Sequence, residues 1–444
     1  MTGMYRRLIP LLLAIAISAD AASHTWVELA PSTSGARTFK VLARYAGASG
    51  ERCPNIVLDG VNHRMTRRAP TGGFTALICE AAVPASVRAA TIGRVPLPLP
   101  KWKRNESPRV VVIGDTGCRV KLGSDDPTQT TGAATWNLQN CLSPKDWPFQ
   151  EVAIQAAATQ PNLVIHVGDY LYREKNCAGV KDCPGGPTGD TFDTWEADFF
   201  EPARALLQTA PWVFVRGNHE SCGRAGNGWF SLLDPRLAST CSVFSDPYVL
   251  QAGKLPLVVI DDSTATDSAC RAHDTACNAQ FATEVEKFTM QFRTISGWNL
   301  QDAWMLSHRP AWSLKTAGDS RGDGVQVLNA VLEAAWDQAR PQGVELLLAG
   351  HTHVFEMIGF ATASGHATQL VIGNSGTKLA PRVKYDAKSA SVKRASIQDF
   401  RGIQDFGFTT LTPEADTWRV EAHDRTGKIQ FACTLPFTGA RCGQ

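Results

Sequence analysis

Short runs of apolar residues recur along most of the chain, and segments with helical spacing separate them. From residue 108 onward these runs are Val110–Ile113, Leu163–Val167, Trp212–Val215, Leu257–Ile260, Ala303–Leu306, Glu345–Leu348 and Gln369–Ile372. Continuous apolar runs of this length, without alternation, are typical of strands that are buried on both faces. We therefore predict buried sheets in this part of the chain.

Four segments between the runs carry apolar residues at the spacing of an amphipathic helix. They are Phe149–Thr159, Phe192–Gln208, Ala279–Thr294 and Val325–Ala339. Strands that alternate with helices in this way favour an α/β domain in which helices cover the sheets. The fold class expected from the pattern is thus layered α/β.

The N-terminal part, residues 23–100, shows strand-like segments such as Thr38–Tyr45, and it contains no convincing helix. It ends in the proline-rich segment Arg94–Pro100, which is typical of an extended linker. We predict a small all-β domain over 23–100 and a second domain over 101–444. Strand character returns near the C-terminus, where the turn Asp424–Gly427 predicts a hairpin added to the second domain.

The first 22 residues are typical of a secretory signal peptide. Arg6 and Arg7 precede the apolar run Leu8–Ser18, and small residues offer a cleavage site after Ala21 or Ala22. The run is too short to span a bilayer, which requires about 20 residues. We expect a periplasmic or secreted protein without a membrane span, and the alternative is an uncleaved membrane anchor.

The chain contains 12 cysteines, an even number that suits an oxidising compartment. Pairing sequence neighbours gives Cys53–Cys79, Cys118–Cys141, Cys177–Cys183, Cys222–Cys241, Cys270–Cys277 and Cys433–Cys442. Sequence alone does not fix this connectivity. The rival interpretation, a zinc–thiolate cluster, requires closely spaced C-x-x-C pairs, which the sequence lacks.

The net charge says little about the binding partners of the protein. Formal net charge is +2, from 44 basic and 42 acidic residues. This balance gives no electrostatic basis for binding nucleic acid or an anionic membrane surface, and it does not indicate an oligomeric state. The function must be inferred from the chemistry of a specific site.

Polar side chains follow the carboxyl ends of five of the apolar runs, which is where ligands bind in open α/β sheets. They are Asp115, Asp169 with Tyr172, Asn218, His308, and His351 with His353. A single Gly-Asp pair is a common turn, but five such ends in succession are hard to obtain by chance. A glycine precedes four of these groups, which suits a tight turn that must approach a ligand closely.

These side chains supply two carboxylates, one phenol, one amide and three imidazoles, a hard-to-borderline set of metal ligands without thiolate. They are too many for one tetrahedral site. With one carboxylate bridging, they provide four bonds to each of two ions. Two cations about 3.5–4 Å apart polarise the phosphoryl oxygens of an ester and acidify a water molecule into a nucleophile. The sequence therefore predicts a binuclear metal-dependent phosphoesterase.

The order of the motifs resembles that of the metallophosphoesterases, and specifically of the purple acid phosphatases. The matching segments are Asp115–Gly117, Gly168–Tyr172, Gly217–Glu220, His308 and Gly350–His353. Most relatives have no tyrosine at the position of Tyr172 and carry a histidine where Gly117 stands, so these two residues are similar to the purple subgroup. The resemblance covers about residues 109–376 and implies an α/β/β/α sandwich.

The resemblance also implies roles for the individual side chains. A ferric ion would be held by Asp115, Tyr172 and His353. A divalent iron, zinc or manganese ion would be held by Asn218, His308 and His351. Asp169 would bridge the two ions, and His219 would bind phosphate or protonate the leaving group.

The chain departs from the family pattern in two places. The segment after His353 continues with Phe355 and Glu356 instead of a Tyr-Glu-Arg-like sequence, and Arg309 and Trp312 stand where relatives have substrate-facing residues after His308. Substrate preference therefore does not follow from the resemblance.

We predict a phosphomonoesterase that acts on a small-molecule phosphate ester at mildly acidic pH. The alternative is a phosphodiesterase or nucleotide-processing enzyme with the same metals, and a third hypothesis is an inactive binding protein that kept the fold. Arg173, Arg216 and Arg309 could either neutralise phosphate or pair with structural carboxylates. His166 lies inside an apolar run and is interpreted as a core histidine.

Overall fold

The computed structural model describes residues 23–32, 38–123, 136–270, 273–316, 325–327, 329–361, 364–380, 391–392, 395–435 and 441–442. The signal peptide predicted over residues 1–22 lies outside these ranges and stays a prediction. Within the described ranges, no helix combines the length and the apolar character that a membrane span requires.

Two large sheets form the centre of the molecule. The described strands of the first sheet are, in spatial order, Arg441–Cys442, Ile429–Leu435, Thr417–Asp424, Gly407–Glu414, Val110–Ile113, Leu163–His166, Trp212–Phe214, His24–Pro31, Phe39–Gly47, Leu77–Val83 and Thr66–Arg67. Those of the second sheet are Tyr248–Ala252, Leu255–Val259, Ala303–Leu306, Val344–Ala349, Thr368–Ile372, Phe355–Phe360, Ala395–Ile403 and Ser391–Val392. All the apolar runs predicted to be strands are strands, with ends shifted by at most 2 residues.

Smaller elements complete the β structure. A third sheet contains Val61–Arg64, Asn55–Leu58, Ala90–Ile92 and Val95–Pro96. Two further hairpins pair Val120–Leu122 with Trp136–Leu138, and Leu314–Thr316 with Val325–Val327.

The helices are Phe149–Ala158, Phe192–Trp195, Glu201–Leu207, Gly226–Leu232, Thr275–Ser296 and Ala330–Gln338. A π-helical turn, Glu196–Phe200, joins the second of these to the third, and Asn218–Glu220 forms a 3-10 turn. The segment predicted as one helix, Phe192–Gln208, is therefore one continuous helical stretch.

Both faces of the central strands are buried, and this produces the layers. Val112 of the first sheet belongs to the same apolar cluster as Leu306 of the second, so this cluster lies between the sheets. Its neighbour Val111 points the other way and belongs to a cluster with Phe149 of the first helix. A third cluster joins the outer face of the second sheet to its helices. The α/β/β/α order is thus confirmed.

The N-terminal β region continues the first sheet. Strand His24–Pro31 runs parallel to Trp212–Phe214 and pairs along its whole length with Phe39–Gly47. Ile56 and Leu58 of the small sheet also belong to the cluster between the large sheets. This region therefore shares its core with the rest of the chain, and the domain boundary near residue 100 stays a prediction about the sequence.

The C-terminal region is longer than the predicted hairpin. Strand Gly407–Glu414 pairs antiparallel with Val110–Ile113, and two further antiparallel strands extend the sheet from it. The turn at Asp424–Gly427 is present, with Gly427 N–H donating to Asp424 O at 3.0 Å.

One predicted helix is wrong at its start. Val325–Val327 forms a strand, and the helix begins only at Ala330. Asn329 has a left-handed backbone, with φ 67°, and its side chain accepts from Leu332 N–H at the helix N-terminus. A left-handed residue cannot lie inside a right-handed helix, so the helical spacing of 325–339 combined two different elements.

Five predicted disulfides are confirmed: Cys53–Cys79, Cys118–Cys141, Cys177–Cys183, Cys222–Cys241 and Cys270–Cys277. The backbone places Cys433 opposite Cys442 in neighbouring strands. The side chain of Cys442 is outside the described part of the chain, so the sixth pair stays a prediction. Five disulfides suggest that the protein works outside the cytoplasm.

Candidate metal centre

The loops that follow five central strands meet between the two sheets. Asp115, Asp169 and Asn218 follow three parallel neighbours in the first sheet. His308 and His351 follow two parallel neighbours in the second. Because parallel strands end at the same edge of a sheet, each sheet delivers its polar residues to one place.

The loop backbones are strained at the predicted site residues. Asp115, Asp169, His351 and His353 have φ values of 55°, 61°, 73° and 44°. Such left-handed conformations cost about 1–2 kcal/mol for residues with a Cβ, and they concentrate at functional sites. Holding these four side chains in position therefore costs the folded state free energy.

Two of the glycines are required by the approach of neighbouring site residues. A Cβ on Gly217 would lie 2.2 Å from Asp169 N, and one on Gly350 would lie 2.3 Å from Asp115 Oδ2. These glycines allow the carboxylate loops of the site to approach one another closely, and the predicted close approach to a ligand stays a prediction.

One half of the site is centred on a buried phenol. Tyr172 Oη lies 3.0 Å from Asp115 Oδ1, 2.8 Å from Asp169 Oδ2 and 2.9 Å from His353 Nε2. Tyr172 is fully buried, and so is Asp115. Four potential metal donors therefore meet at one point.

The other half is centred on an amide oxygen. Asn218 Oδ1 lies 2.9 Å from His308 Nε2 and 2.9 Å from His351 Nδ1. Asp169 Oδ2 is 3.2 Å from His308 Nε2, and it also contacts Tyr172, so this carboxylate belongs to both halves.

Two triads have ligand atoms that all lie within 4.8 Å of one another: Asp169, His308, His351 and Asp115, Asp169, His353. The predicted ligand types are therefore brought together in two adjacent groups that share one carboxylate. This arrangement suggests a binuclear metal site.

Electrostatics favour cations here. Burial raises the pKa of Asp115 well above its usual range, and burial with the nearby carboxylates does the same to the pKa of Tyr172. Burial alone would lower the pKa of His308, but Asp169 and Asp115 raise it to about 10. The buried carboxylates thus attract positive charge, and a strong cation is what would bring the phenol into its ionised, metal-binding form.

The turn that carries Asp169 is held by a carboxylate to which the sequence reasoning gave no role. Glu220 accepts hydrogen bonds from the backbone N–H groups of Asp169, Tyr170, Leu171 and Gly217, at 2.9–3.2 Å. It links two of the five loops and is fully buried.

Two more buried carboxylates that were missed support the loops from behind. Asp198 accepts from Tyr172 N–H and Cys118 N–H at 2.8 and 3.2 Å, which ties two loops of the first sheet together. Asp262 accepts from His308 N–H and Arg309 N–H, both at 3.0 Å. Asp262 could have been found, because it follows a buried strand like the predicted ligands.

His219 lies beside the phenol. Its ring is 3.7 Å from that of Tyr172, between centroids, and its backbone N–H donates to Asp169 Oδ1 at 2.8 Å. The ring Nδ1 is 2.7 Å from Glu174 Oε1, and Arg224 pairs with the same carboxylate. Burial lowers the pKa of His219 to about 4, although Asp169 opposes the shift.

The sequence did not decide whether several residues contact phosphate or only stabilise the fold. In the described part of the chain, they make structural contacts. Arg173 pairs with Asp198 and Arg216 with Asp261, at 2.6 and 3.0 Å. Trp312 is fully buried in the outer core of the second sheet, so it does not face the site. The core prediction for His166 is confirmed, since the ring is buried and stacks on Tyr170.

Arg309 is also paired: it forms an ion pair with Asp267. The same carboxylate contacts the ring of His351, with Asp267 Oδ2 at 3.1 Å from His351 Nε2. His351 and Arg309 hold the pKa of Asp267 well below its usual range, although burial opposes them. Asp267 belongs to none of the motifs recognised in the sequence.

The calcineurin-like phosphoesterase family model matches residues 108–355, more than half of the chain and every loop from Asp115 to His353. Among solved structures, PhoD is similar over 96% of this chain and 93% of its own, with a TM-score of 0.55 and 10% identity. GAP50, the anchor in the inner membrane complex of Plasmodium, covers 74% of this chain and 89% of its own, with a TM-score of 0.39 and 11% identity. No curated protein sequence matches.

Proposed function

This chain belongs to the calcineurin-like phosphoesterase family and is a metal-dependent phosphoesterase, and from that premise we propose that it hydrolyses phosphate monoesters in the manner of the purple acid phosphatases. It would act on small-molecule esters outside the cytoplasm, after export by the signal peptide predicted in the sequence.

The position of Tyr172 carries this proposal. Its phenol oxygen lies within 3.0 Å of Asp115, Asp169 and His353 atoms that are themselves hard or borderline donors. A phenolate in such a set favours a ferric ion, and the tyrosine is the residue that distinguishes the purple subgroup in the resemblance.

The proposed ligands divide as the two halves of the site do. Asp115, Tyr172 and His353 would hold Fe(III). Asn218, His308 and His351 would hold a divalent iron, zinc or manganese ion. Asp169 would bridge, which its contacts to both halves support. Two such ions would polarise the phosphoryl oxygens and acidify the attacking water.

His219 is proposed as the residue that contacts the phosphate or protonates the leaving oxygen. With Nδ1–H donated to Glu174, Nε2 lies 3.8 Å from Asp169 Oδ2 and also contacts Arg224 Nη2 at 2.8 Å. Glu174 would keep this orientation fixed.

A visible absorption spectrum combined with elemental analysis tests the proposal. We expect about two metal ions per chain, at least one of them iron, and an iron–tyrosinate band that disappears in Tyr172→Phe. A colourless wild-type protein that contains two ions but no iron would contradict the purple acid phosphatase assignment and leave only the broader family activity.

One observation bears on the diesterase alternative: Trp312, which stands in the region where relatives have substrate-facing residues, is buried in the outer core instead. Arg309, by contrast, stays beside the site, paired with Asp267 and 3.1 Å from His351 Nε2. Parallel rates on an aryl phosphate and on the matching bis-aryl diester decide between the two, because a higher kcat/KM on the diester would contradict the monoesterase proposal.

A further inference from the structure

The two ring nitrogens of His351 face different partners. Nδ1 lies 2.9 Å from Asn218 Oδ1, on the side where His308 Nε2 also lies. Nε2 lies 3.1 Å from Asp267 Oδ2 and 3.1 Å from Nη1 of Arg309, which is itself paired with the same carboxylate. A neutral imidazole donates from one nitrogen and accepts at the other. A carboxylate acceptor at Nε2 favours the proton there and leaves the Nδ1 lone pair for an ion.

We propose that Asp267 is a positioning residue that holds His351 in the tautomer and orientation needed to bind the second metal ion, and that Arg309 in turn orients Asp267. This inference rests on the proposed function, because it assigns His351 to the divalent ion.

Asp267 is itself fixed from both sides of its loop. The preceding residue, Thr266, donates its backbone N–H to Glu284 Oε2 of the long helix at 2.9 Å. Ala330 N–H, at the start of the last helix, donates to Asp267 O at 3.0 Å. The ion pair with Arg309 then sets the side chain. A carboxylate anchored in this way can hold an imidazole still.

The other two imidazoles of the site have partners of different charge. His308 Nδ1 lies 2.9 Å from the carbonyl oxygen of Val167, and His353 Nδ1 lies 3.0 Å from the guanidinium of Arg119. His351 is therefore the one of the three predicted histidine ligands whose second nitrogen faces a carboxylate. Because a carboxylate raises the basicity of the imidazole, its loss should weaken only the ion bound through His351.

Metal affinity of Asp267→Asn and Asp267→Ala tests this inference without relying on turnover. With iron retained at the Tyr172 half and Zn²⁺ titrated against a chelator, we expect Zn²⁺ to bind about 10–100-fold more weakly in both variants, and iron content to be unchanged. Arg309→Met, which leaves the carboxylate in place, should weaken Zn²⁺ by less. Glu286→Gln, a change at an exposed carboxylate of the long helix, is the control and should bind Zn²⁺ like the wild type.

The outcomes separate this inference from the proposed function. Wild-type Zn²⁺ affinity in both Asp267 variants would overturn the positioning role. So would a lower unfolding temperature of the metal-free variants with unchanged Zn²⁺ affinity, since that is the sign of a purely structural ion pair. A wild-type protein that binds only one ion would instead refute the binuclear proposal.

Discussion

Two of the buried clusters of charged side chains differ in how their charges are balanced: one lies at the N-terminal strands and the other at the metal centre. In the N-terminal group, Arg44 pairs with Glu28 at 2.7 Å and with Glu80 at 3.2 Å, and Arg68 pairs with Glu80 at 3.2 Å. Two acidic and two basic side chains therefore neutralise one another.

The metal centre is different. Among the ion pairs of the described residues, Asp115 pairs with His353, and Asp169 pairs with His219 and His308, so neither carboxylate pairs with lysine or arginine. Buried carboxylates whose ion-pair partners are imidazoles favour added positive charge. A charge cluster whose acidic and basic side chains pair with one another is structural, whereas one whose shared carboxylates pair with no lysine or arginine is suited to bind metal cations.

Replacement of the shared carboxylate should have the largest effect. In Asp169→Asn we expect retention of both ions to fail and kcat/KM on an aryl phosphate to fall about ten-thousandfold, equivalent to about 5 kcal/mol, since both halves of the site use this side chain. Elemental analysis and steady-state rates measure the two effects. Asp193→Asn, an exposed carboxylate, is the control. Unchanged hydrolysis in Asp169→Asn would remove the mechanism.

The N-terminal cluster should respond in stability and not in metal binding. Arg68 also donates to the carbonyl oxygens of Phe230 and Asp234, at 3.0 and 2.7 Å, so it joins the N-terminal strands to the fourth helix and to the loop that follows it. Arg68→Met should lower the free energy of unfolding by about 3 kcal/mol, because the two buried carbonyl oxygens lose their donor and Glu80 keeps only Arg44 as its partner.

Urea unfolding measures this loss, with the exposed neighbour Arg67→Met as the matched control. Metal content and kcat of the folded Arg68→Met protein should equal those of the wild type. Loss of metal in this variant would break the distinction between the two clusters.

The sequence predicted the proposed metal ligands better than the residues that support them. Asp115, Asp169 and His308 follow buried strands directly, so a local pattern reveals them. Glu220 and Asp198 act on residues that are distant in sequence, for example 51 residues between Glu220 and Asp169. Such contacts depend on the packing of the loops, so the local pattern assigns these carboxylates no role.

The same limit applies to the fold. The central strands were predictable because each is a continuous apolar run. The parallel pairing of His24–Pro31 with Trp212–Phe214 was not, since Glu28 and Trp212 meet only through the assembled sheet. The helical spacing of residues 325–339 was misleading. Asparagine also occurs inside helices, so the sequence did not mark Asn329 as a boundary. Its left-handed backbone, which only the structure shows, divides the strand from the helix.

Glu356 differs from the carboxylates of both clusters, because it is buried and its hydrogen-bond partners are neutral. It accepts from Ser313 Oγ at 2.7 Å and Leu314 N–H at 3.0 Å, and burial raises its pKa from 4.5 to about 7. Between these pH values the folded protein keeps a proton that the unfolded chain has released. The free energy of unfolding should therefore fall as pH rises through this window, by up to about 3 kcal/mol at about 1.4 kcal/mol per pH unit.

Glu356→Gln removes this titration, so the difference between its unfolding free energy and that of the wild type should vary with pH between 4.5 and about 7 and be constant outside. The exposed Glu286→Gln should follow the wild type at every pH. A constant difference across the window would show that Glu356 stays ionised in the folded protein.

The smallest effect is expected at Glu174, where the two kinds of cluster meet. This carboxylate pairs with Arg224 like a structural residue, yet it also accepts from His219 Nδ1 at 2.7 Å beside the metal ligands. If it orients His219, Glu174→Gln should lower kcat about tenfold, by weakening a hydrogen bond to a charged group worth about 1.5 kcal/mol, with metal content unchanged. The effect should vanish in a His219→Gln background, since residues that act as a unit are not additive. Equal losses in both backgrounds would assign Glu174 to the structural group instead.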